Sequence, residues 1–74
     1  MKTLSECKVG SVVTIEKIET DKICLKYFNS LGILCNGKVR VLQNYRGNLI
    51  LRINDSRVVI NSDMAKKIYC TDTK

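Results

Sequence analysis

The sequence predicts a mainly β fold, a small five-stranded barrel with one α-helix inserted after the first strand and a short helical turn near the C-terminus. Three observations support this prediction. Segments rich in β-branched or alternating apolar residues recur along the chain, one segment has helical periodicity, and glycine and asparagine separate the segments. The 74 residues suit a single domain, predicted over residues 1–74.

The first strand is predicted over residues 11–18, where β-branched side chains are dense. A short turn over residues 5–10, which ends at Gly10, precedes it. The apolar positions of this strand do not alternate strictly between its two faces. That irregularity indicates a β-bulge.

The helix is predicted from Asp21 to Leu31, with Thr20 as its N-cap. Gly32 follows the last helical residue, and this position often needs a positive φ that glycine adopts without strain. The apolar side chains form one stripe at helical spacing, which is typical of core packing: Cys24, Leu25, Phe28 and Leu31.

The second half of the chain is predicted to contain four strands, over residues 39–42, 49–53, 58–60 and 68–70. A turn-rich loop over residues 43–48 and a tight hairpin turn over residues 54–56 separate the first three. Residues 61–63 cap a helical turn over residues 64–66, and the tail 71–74 is predicted to fray. Five short strands with a helix between the first two are the layout of an SH3-like barrel.

Leu42, Ile50 and Val59 lie on the strand faces opposite the predicted buried rows. Either they leave apolar area exposed for another chain, or they pack under the helix as a second layer. The sequence leaves both arrangements open. An apolar sheet edge would also permit weak self-association.

The four cysteines, at positions 7, 24, 35 and 70, are expected to be free. The N-terminus lacks the apolar core of a signal peptide, which predicts a cytoplasmic location where thiols stay reduced. Structural zinc sites use close ligand pairs, whereas the nearest cysteines here are eleven residues apart and the chain has no histidine. The cysteines are therefore interpreted as small hydrophobic residues, without a metal site.

The formal net charge of +6 favours acidic partners. The basic residues are scattered, and Tyr27, Tyr45 and Tyr69 do not group on one strand face, so nucleic acid is not the expected partner. A basic barrel that binds nucleic acid remains an alternative. No apolar run approaches the roughly 18–20 residues that cross a bilayer, and no membrane insertion is expected.

The sequence gives no indication of an enzyme. It contains no histidine and no glycine-rich phosphate-binding motif, and its carboxylates have no evident acid–base partner. Scattered carboxylates without imidazole are typical of solvated surface, so no tight metal site and no cofactor are expected from the four considered: Glu6, Glu16, Glu19 and Asp21. The prediction is a binding module.

Three segments, in order, resemble the ferrous iron transport protein A (FeoA) family. The first is Leu4-Ser5 followed by Gly10 and the strand to Ile18, and the second is Leu31-Gly32-Ile33 running into Val39-Arg40-Val41-Leu42. The third comprises residues 49–53, 57–60 and 65–68. Together they span nearly the whole chain, and the resemblance implies an SH3-like fold with four structural turn positions: Gly10, Gly32, Gly37 and Asp55.

The chain departs from the family pattern at three places. Cys35-Asn36 stand where the family usually has Pro-Gly, and asparagine tolerates a positive φ, so the turn is expected to persist. Asp55 stands where the second hairpin often has glycine, and the same tolerance is expected there. The family helix commonly has a basic residue directly before its buried leucine, whereas Tyr27 precedes Phe28 here.

The resemblance implies an accessory role in bacterial ferrous iron uptake. The implied partner is the membrane iron permease FeoB, which carries a cytosolic GTP-binding domain. The hypothesis is that an acidic, partly apolar face of this cytosolic part contacts four residues: Lys22, Lys26, Tyr27 and Asn36. A related alternative is the SH3-like regulatory domain of iron-dependent repressors, although this sequence contains no DNA-reading helix pair.

Overall fold

The computed structural model describes residues 1–73, which form one antiparallel sheet, two α-helices and one 3-10 helix. The strands are β1 (Lys2–Thr3), β2 (Val12–Ile18), β3 (Lys38–Tyr45), β4 (Asn48–Ile53), β5 (Ser56–Ile60) and β6 (Ile68–Asp72), and the α-helices are α1 (Lys22–Ser30) and α2 (Ser62–Ala65). A 3-10 helix, Leu4–Glu6, follows β1. The strand order across the sheet is β1-β6-β2-β3-β4-β5.

The predicted mainly β fold with one helix after the first long strand is confirmed, but the sheet has six strands rather than five. The additional strand, β1, has only two residues, and it pairs Lys2 with Cys70 and Thr3 with Tyr69 of β6. Two residues are too few to show an alternating pattern, so this strand depends on a partner almost 70 positions away in the chain.

Helix α1 begins one residue later than predicted, because Asp21 rather than Thr20 is its N-cap. The Asp21 carboxylate accepts a 2.8 Å hydrogen bond from the backbone N–H of Cys24. At the other end Gly32 has φ 91° and its N–H bonds to the carbonyl of Asn29, while the N–H of Ile33 bonds to the carbonyl of Phe28. These two bonds form a Schellman motif, which ends the helix at the glycine.

The predicted loop over residues 43–48 is wrong, because β3 continues to Tyr45 and only Arg46 and Gly47 form the turn. Both turn residues have positive φ, 53° and 87°. A register shift between Val41 and Gln43 breaks the alternation that a sequence pattern relies on. The amide of Asn44 donates to the carbonyls of Ser5 and Cys7, so a polar residue fits within the strand.

The predicted fraying of the tail is also wrong as far as Thr73. Thr71 and Asp72 belong to β6, which pairs with β2, and the N–H of Thr73 bonds to the carbonyl of Val12. Lys74 lies outside the described residues. The bulge predicted in the first strand is confirmed by a register shift between Ile15 and Lys17 of β2.

One of the two turns expected to hold a left-handed residue other than glycine needs correction. In the β4–β5 hairpin the left-handed residue is Asn54, with φ 55°, and not Asp55. In the loop after α1 the left-handed residue is Asn36, with φ 69°. Gly37 serves a close approach, since a Cβ there would lie 3.0 Å from the carbonyl oxygen of Leu34. Asn36 therefore provides the left-handed conformation that was predicted for it.

The core is formed mainly by the inward-facing side chains of strands β2 to β6, with Phe28 of α1 packed among them. Phe28 is the largest fully buried side chain, and it comes from the helix. The other buried residues are Leu4, Cys7, Val13, Ile15, Ile33, Val39, Val41, Leu49, Leu51, Ile53, Val58, Ile60, Ala65, Ile68 and Cys70. No polar or charged residue is buried within residues 1–73, so burial of apolar side chains is the main source of stability.

Candidate partner-binding surface

The outward side of α1 combines positive charge with exposed apolar area. Lys22 and Lys26 lie one turn apart and both are exposed. Ile23 and Tyr27, also one turn apart, are 82% and 53% exposed. We call these four residues the helix face. Exposed large apolar side chains grouped on one surface are typical of interaction sites.

The helix face is held in place from both ends and from below. The N–H of Cys24 bonds to the Asp21 carboxylate and lowers the pKa of that group. Phe28 is buried directly beneath the exposed helix, and its ring centroid lies 6.4 Å from that of Tyr27. The capped ends of α1 and the buried Phe28 side chain therefore hold the helix in place, with Lys22, Lys26 and Tyr27 on its exposed side.

The structure places three of the four predicted contact residues together on α1 and the fourth in the loop that follows the helix. Asn36 is exposed, but it follows the C-terminal end of α1 and its N–H bonds to the carbonyl of Ile15. Asn36 comes after the end of α1, in the loop before β3, whereas Lys22 is the first residue of the helix. Leu34, 49% exposed, lies in the same loop as Asn36.

Sequence reasoning missed Ile23, which is the most exposed apolar side chain of the helix face. Ile23 falls outside the apolar stripe that predicts the buried side. Its i, i+4 spacing from Tyr27 was the available signal, because the pair forms a second apolar stripe on the same helix.

The second predicted apolar area, on the outer face of the sheet, is exposed chiefly at one residue. Val59 is 71% exposed, whereas Leu42 and Ile50 are half-buried. Ile50 and Val59 are directly opposite each other on β4 and β5. The outer face therefore leaves apolar area exposed at Val59 and covers part of it at Leu42 and Ile50.

The four carboxylates considered as an iron site are engaged at separate places. Glu6 accepts hydrogen bonds from Thr3, which lower its pKa, and Asp21 caps α1. Glu19 pairs with Lys17 at 3.3 Å, and Glu16 accepts from the Thr71 hydroxyl. In residues 1–73 no group of three or more potential metal-binding side chains converges.

Cys7 and Cys70 pack in the core as the small hydrophobic residues that were predicted, with their Sγ atoms 3.5 Å apart. The hydrogen bond between them and burial raise the pKa of Cys70. Cys24 is half-buried and Cys35 is exposed, so only half of the cysteines belong to the core. All four thiols are free.

Nearly the whole chain matches one known family. The family model described as the FeoA domain matches residues 2–72. This chain belongs to the FeoA family. It is 28% identical over 74 residues to the protein named "Putative Fe(2+) transport protein A" of Methanocaldococcus jannaschii, covering 100% of this chain and 90% of that protein.

Solved structures show the same fold. An iron uptake regulatory protein called FeoA superposes with a TM-score of 0.90 at 19% identity, covering 96% of both chains. The FeoA protein of Chlorobium tepidum gives a TM-score of 0.86 at 18% identity, covering 97% of this chain and 70% of that one.

A manganese-dependent transcriptional repressor is also similar, with a TM-score of 0.89 at 28% identity. The alignment covers 97% of this chain but only 41% of the repressor. The FeoA fold of this chain therefore also occurs as one part of a longer metal-dependent regulator. No helix within residues 1–73 is long and apolar enough to span a membrane.

Proposed function

We propose that this FeoA-family domain is an accessory protein of ferrous iron uptake that acts by binding the cytosolic part of a FeoB-type membrane GTPase and iron permease. The observation that carries the proposal is the helix face, where Ile23 and Tyr27 are exposed beside Lys22 and Lys26. Family membership and the name of the M. jannaschii relative support the link to ferrous iron. The proposal includes no catalytic step and no bound cofactor.

The chemistry of the helix face defines the partner surface. Aromatic and aliphatic side chains provide most of the affinity when they enter a desolvated pocket, and Tyr27 and Ile23 are placed to do so. The two lysines accelerate the encounter with an acidic surface and fix the orientation of the partner on the helix face. An acidic face with an apolar depression fits this arrangement. A partner that also contacts Asn36 would have to cover the loop after α1.

The direct test is a calorimetric titration of the domain with the cytosolic GTP-binding part of a FeoB-type permease from the same genome. The double variant Lys22→Glu with Lys26→Glu is expected to weaken binding about tenfold or more. The double variant Ile23→Ser with Tyr27→Ala is expected to weaken it about 30-fold, since it removes both apolar anchors.

The matched control reverses the same number of charges away from the helix face, with Lys8→Glu and Arg46→Glu. Both residues are exposed. Arg46 lies in the β3–β4 turn, at the start of β4, whereas Gly32, which follows α1, packs against Ile53 at the other end of β4. This control is expected to bind within about threefold of the wild type. Equal affinity of the wild type and the Lys22/Lys26 variant would refute the proposed surface.

A second candidate function is that of a regulatory domain that binds a metal-dependent repressor. The 28% identity and TM-score of 0.89 to a manganese-dependent repressor support this second candidate. Co-purification of the tagged domain distinguishes the two functions, since recovery with a membrane GTPase supports the permease partner and recovery with a DNA-binding protein supports the repressor.

A further inference from the structure

Three arginines lie side by side on the outer face of the sheet. Arg40 on β3 is directly opposite Arg52 on β4, and Arg52 is directly opposite Arg57 on β5. All three side chains are exposed. We call these residues the arginine row. Like charges directly opposite each other on neighbouring strands destabilise a sheet, so this row is unfavourable in the isolated chain.

No carboxylate neutralises the arginine row within the described part of the chain. The ion pairs found in residues 1–73 are Lys2–Asp72 and Lys17–Glu19, and both involve other strands or loops. The Nε of Arg52 donates to the carbonyl of Asn54 at 3.2 Å, which steadies this side chain. Its two terminal nitrogens remain available, as a guanidinium that receives a carboxylate requires.

The row ends at an open edge of the sheet. β5 pairs with β4 and is the last strand in the order. Only Asn54 and Asp55 separate the paired residues Ile53 and Ser56, so this closing pair exchanges the ladder hydrogen bonds. By alternation, the backbone N–H and C=O groups of Arg57 and Val59 point away from β4. No hydrogen bond from residues 1–73 to these groups is present.

The side chains at this edge alternate suitably for an added strand. Arg57 and Val59 are two residues apart, so both project from the outer face. Val59 is 71% exposed and lies opposite the half-buried Ile50. A strand laid along β5 would therefore meet a guanidinium and an apolar side chain at successive outer positions.

We propose that an acidic, extended segment of a partner protein adds as a seventh strand along the free edge of β5. Its backbone would pair with the N–H and C=O groups of Arg57 and Val59. A carboxylate would accept from Arg57 and Arg52, and an apolar side chain two residues away would cover Val59 and Ile50. This proposal concerns a surface separate from the helix face and does not depend on the permease.

Two other occupants fit less well. A second copy of the chain would bring another +6 charge and the same arginines to the edge. A nucleic acid would neutralise the charge, but it would leave the backbone groups of β5 unpaired, and the residues beside the row are Ile50 and Val59 rather than aromatics on which bases stack.

The test uses a fluorescent seven-residue peptide with Glu, Val and Glu at its second, fourth and sixth positions and Thr elsewhere. Binding to the intact domain is measured by anisotropy, and backbone hydrogen exchange is measured by NMR. The amides of Arg57 and Val59 are expected to exchange fast in the free protein and to become protected with the peptide. The amides of Val58 and Ile60, which face β4, serve as internal references.

Replacing the two Glu of the peptide by Gln, or making Arg57→Gln, is expected to weaken binding about tenfold. The control Arg46→Gln removes the same charge at the β3–β4 turn and is expected to leave binding within about twofold. Val59→Pro removes an outward N–H without removing a ladder bond to β4, and it is expected to abolish protection at Arg57. If that variant does not fold, Arg57→Gln and the exchange pattern decide the question.

Several results would overturn the proposal. They are equal binding of the Glu and Gln peptides, protection at β1 instead of β5, and no binding of the Glu peptide at millimolar concentration. If an oligothymidine binds more tightly than the Glu peptide, and Arg57→Gln abolishes that binding, the arginine row is a nucleic-acid site. A concentration-dependent dimer that Val59→Pro dissociates would assign the edge to a second copy.

Discussion

Two neighbouring rows of the same three strands have opposite energetic roles. On the inner face Val41, Leu51 and Val58 are directly opposite one another and are buried. The arginine row crosses the same strands on the outer face. Arg40 precedes Val41 on β3, Arg52 follows Leu51 on β4, and Arg57 precedes Val58 on β5. The inner row stabilises the folded state by removing apolar surface from water. The outer row places three positive charges next to one another without a carboxylate partner, which destabilises the folded state. The backbone ladder is common to both, so side-chain chemistry alone makes one row structural and leaves the other for binding.

The largest expected effect is on the inner row. Leu51 is 0% exposed, and Leu51→Ala is expected to lower the free energy of unfolding by about 2–5 kcal/mol, because it removes buried methyl groups and leaves a cavity. Urea denaturation followed by circular dichroism measures the change. Arg52→Ala, next to it on the same strand, is the control and is expected to change stability by less than about 0.5 kcal/mol. Equal losses in the two variants would contradict the distinction between the rows.

The next effect concerns the turn that aligns β3 with β4, on which both rows depend. Gly47 has φ 87°, and a Cβ there would lie 3.0 Å from the Cβ of Ser62. Gly47→Ala is expected to destabilise the fold by about 1–3 kcal/mol through backbone strain and this contact.

Gly10→Ala separates these two causes. Gly10 has φ 91°, but nothing lies within 4 Å of the position that an alanine methyl group would occupy, so only backbone strain applies. Thermal unfolding of both variants should show the smaller loss at Gly10. A larger loss at Gly10 would mean that the contact with Ser62 contributes nothing at Gly47.

The outer row is expected to respond with the opposite sign. Arg52→Glu places a carboxylate between Arg40 and Arg57, so it replaces two repulsive pairs by two attractive ones. The variant is expected to gain about 0.2–1 kcal/mol of stability, and the gain should shrink as salt screens the charges. Urea titrations at low and high salt measure it. A loss of stability that is independent of salt would show that Arg52 contributes by packing rather than by charge.

The smallest effect is on acid stability, which depends on residues outside both rows, because arginine stays charged and the inner row has no charge. The pKa of Asp21 lies below its ordinary value of 3.8, mainly because the Cys24 N–H bonds to the ionised form. A lowered folded-state pKa gives stability that is present above pH 3.8 and is lost as the pH falls through the folded pKa. The pKa of Glu6 likewise lies below its ordinary 4.5, since its carboxylate accepts from the Thr3 N–H.

Asp21→Asn tests this dependence, because asparagine also caps a helix but does not titrate. Thermal unfolding between about pH 2.5 and 6 is expected to vary less in Asp21→Asn than in the wild type. Glu16→Gln, at a carboxylate that accepts from the Thr71 hydroxyl instead of capping a helix, is the comparison. Identical pH curves for the wild type and Asp21→Asn would assign the acid sensitivity to other groups.

The candidate binding surfaces were only partly predictable. The sequence indicated the exposed lysines and Tyr27 of α1 because helical periodicity places them away from Phe28. It did not single out Ile23, because the predicted apolar stripe follows the Phe28 side of the helix and Ile23 lies outside that stripe. The arginine row was invisible as well, because Arg40, Arg52 and Arg57 are separated in the chain and meet only through strand register.

The sequence by itself determined the mainly β class, the helix and its end at Gly32, and most of the strands, since these depend on local periodicity and on residues that tolerate a positive φ. Only the tertiary structure decided the pairing of β1 with β6, the extension of β6 to Asp72, and the continuation of β3 through Asn44. These features depend on hydrogen bonds between distant segments. A short segment of sequence does not indicate these hydrogen bonds, because they form only when the whole sheet assembles.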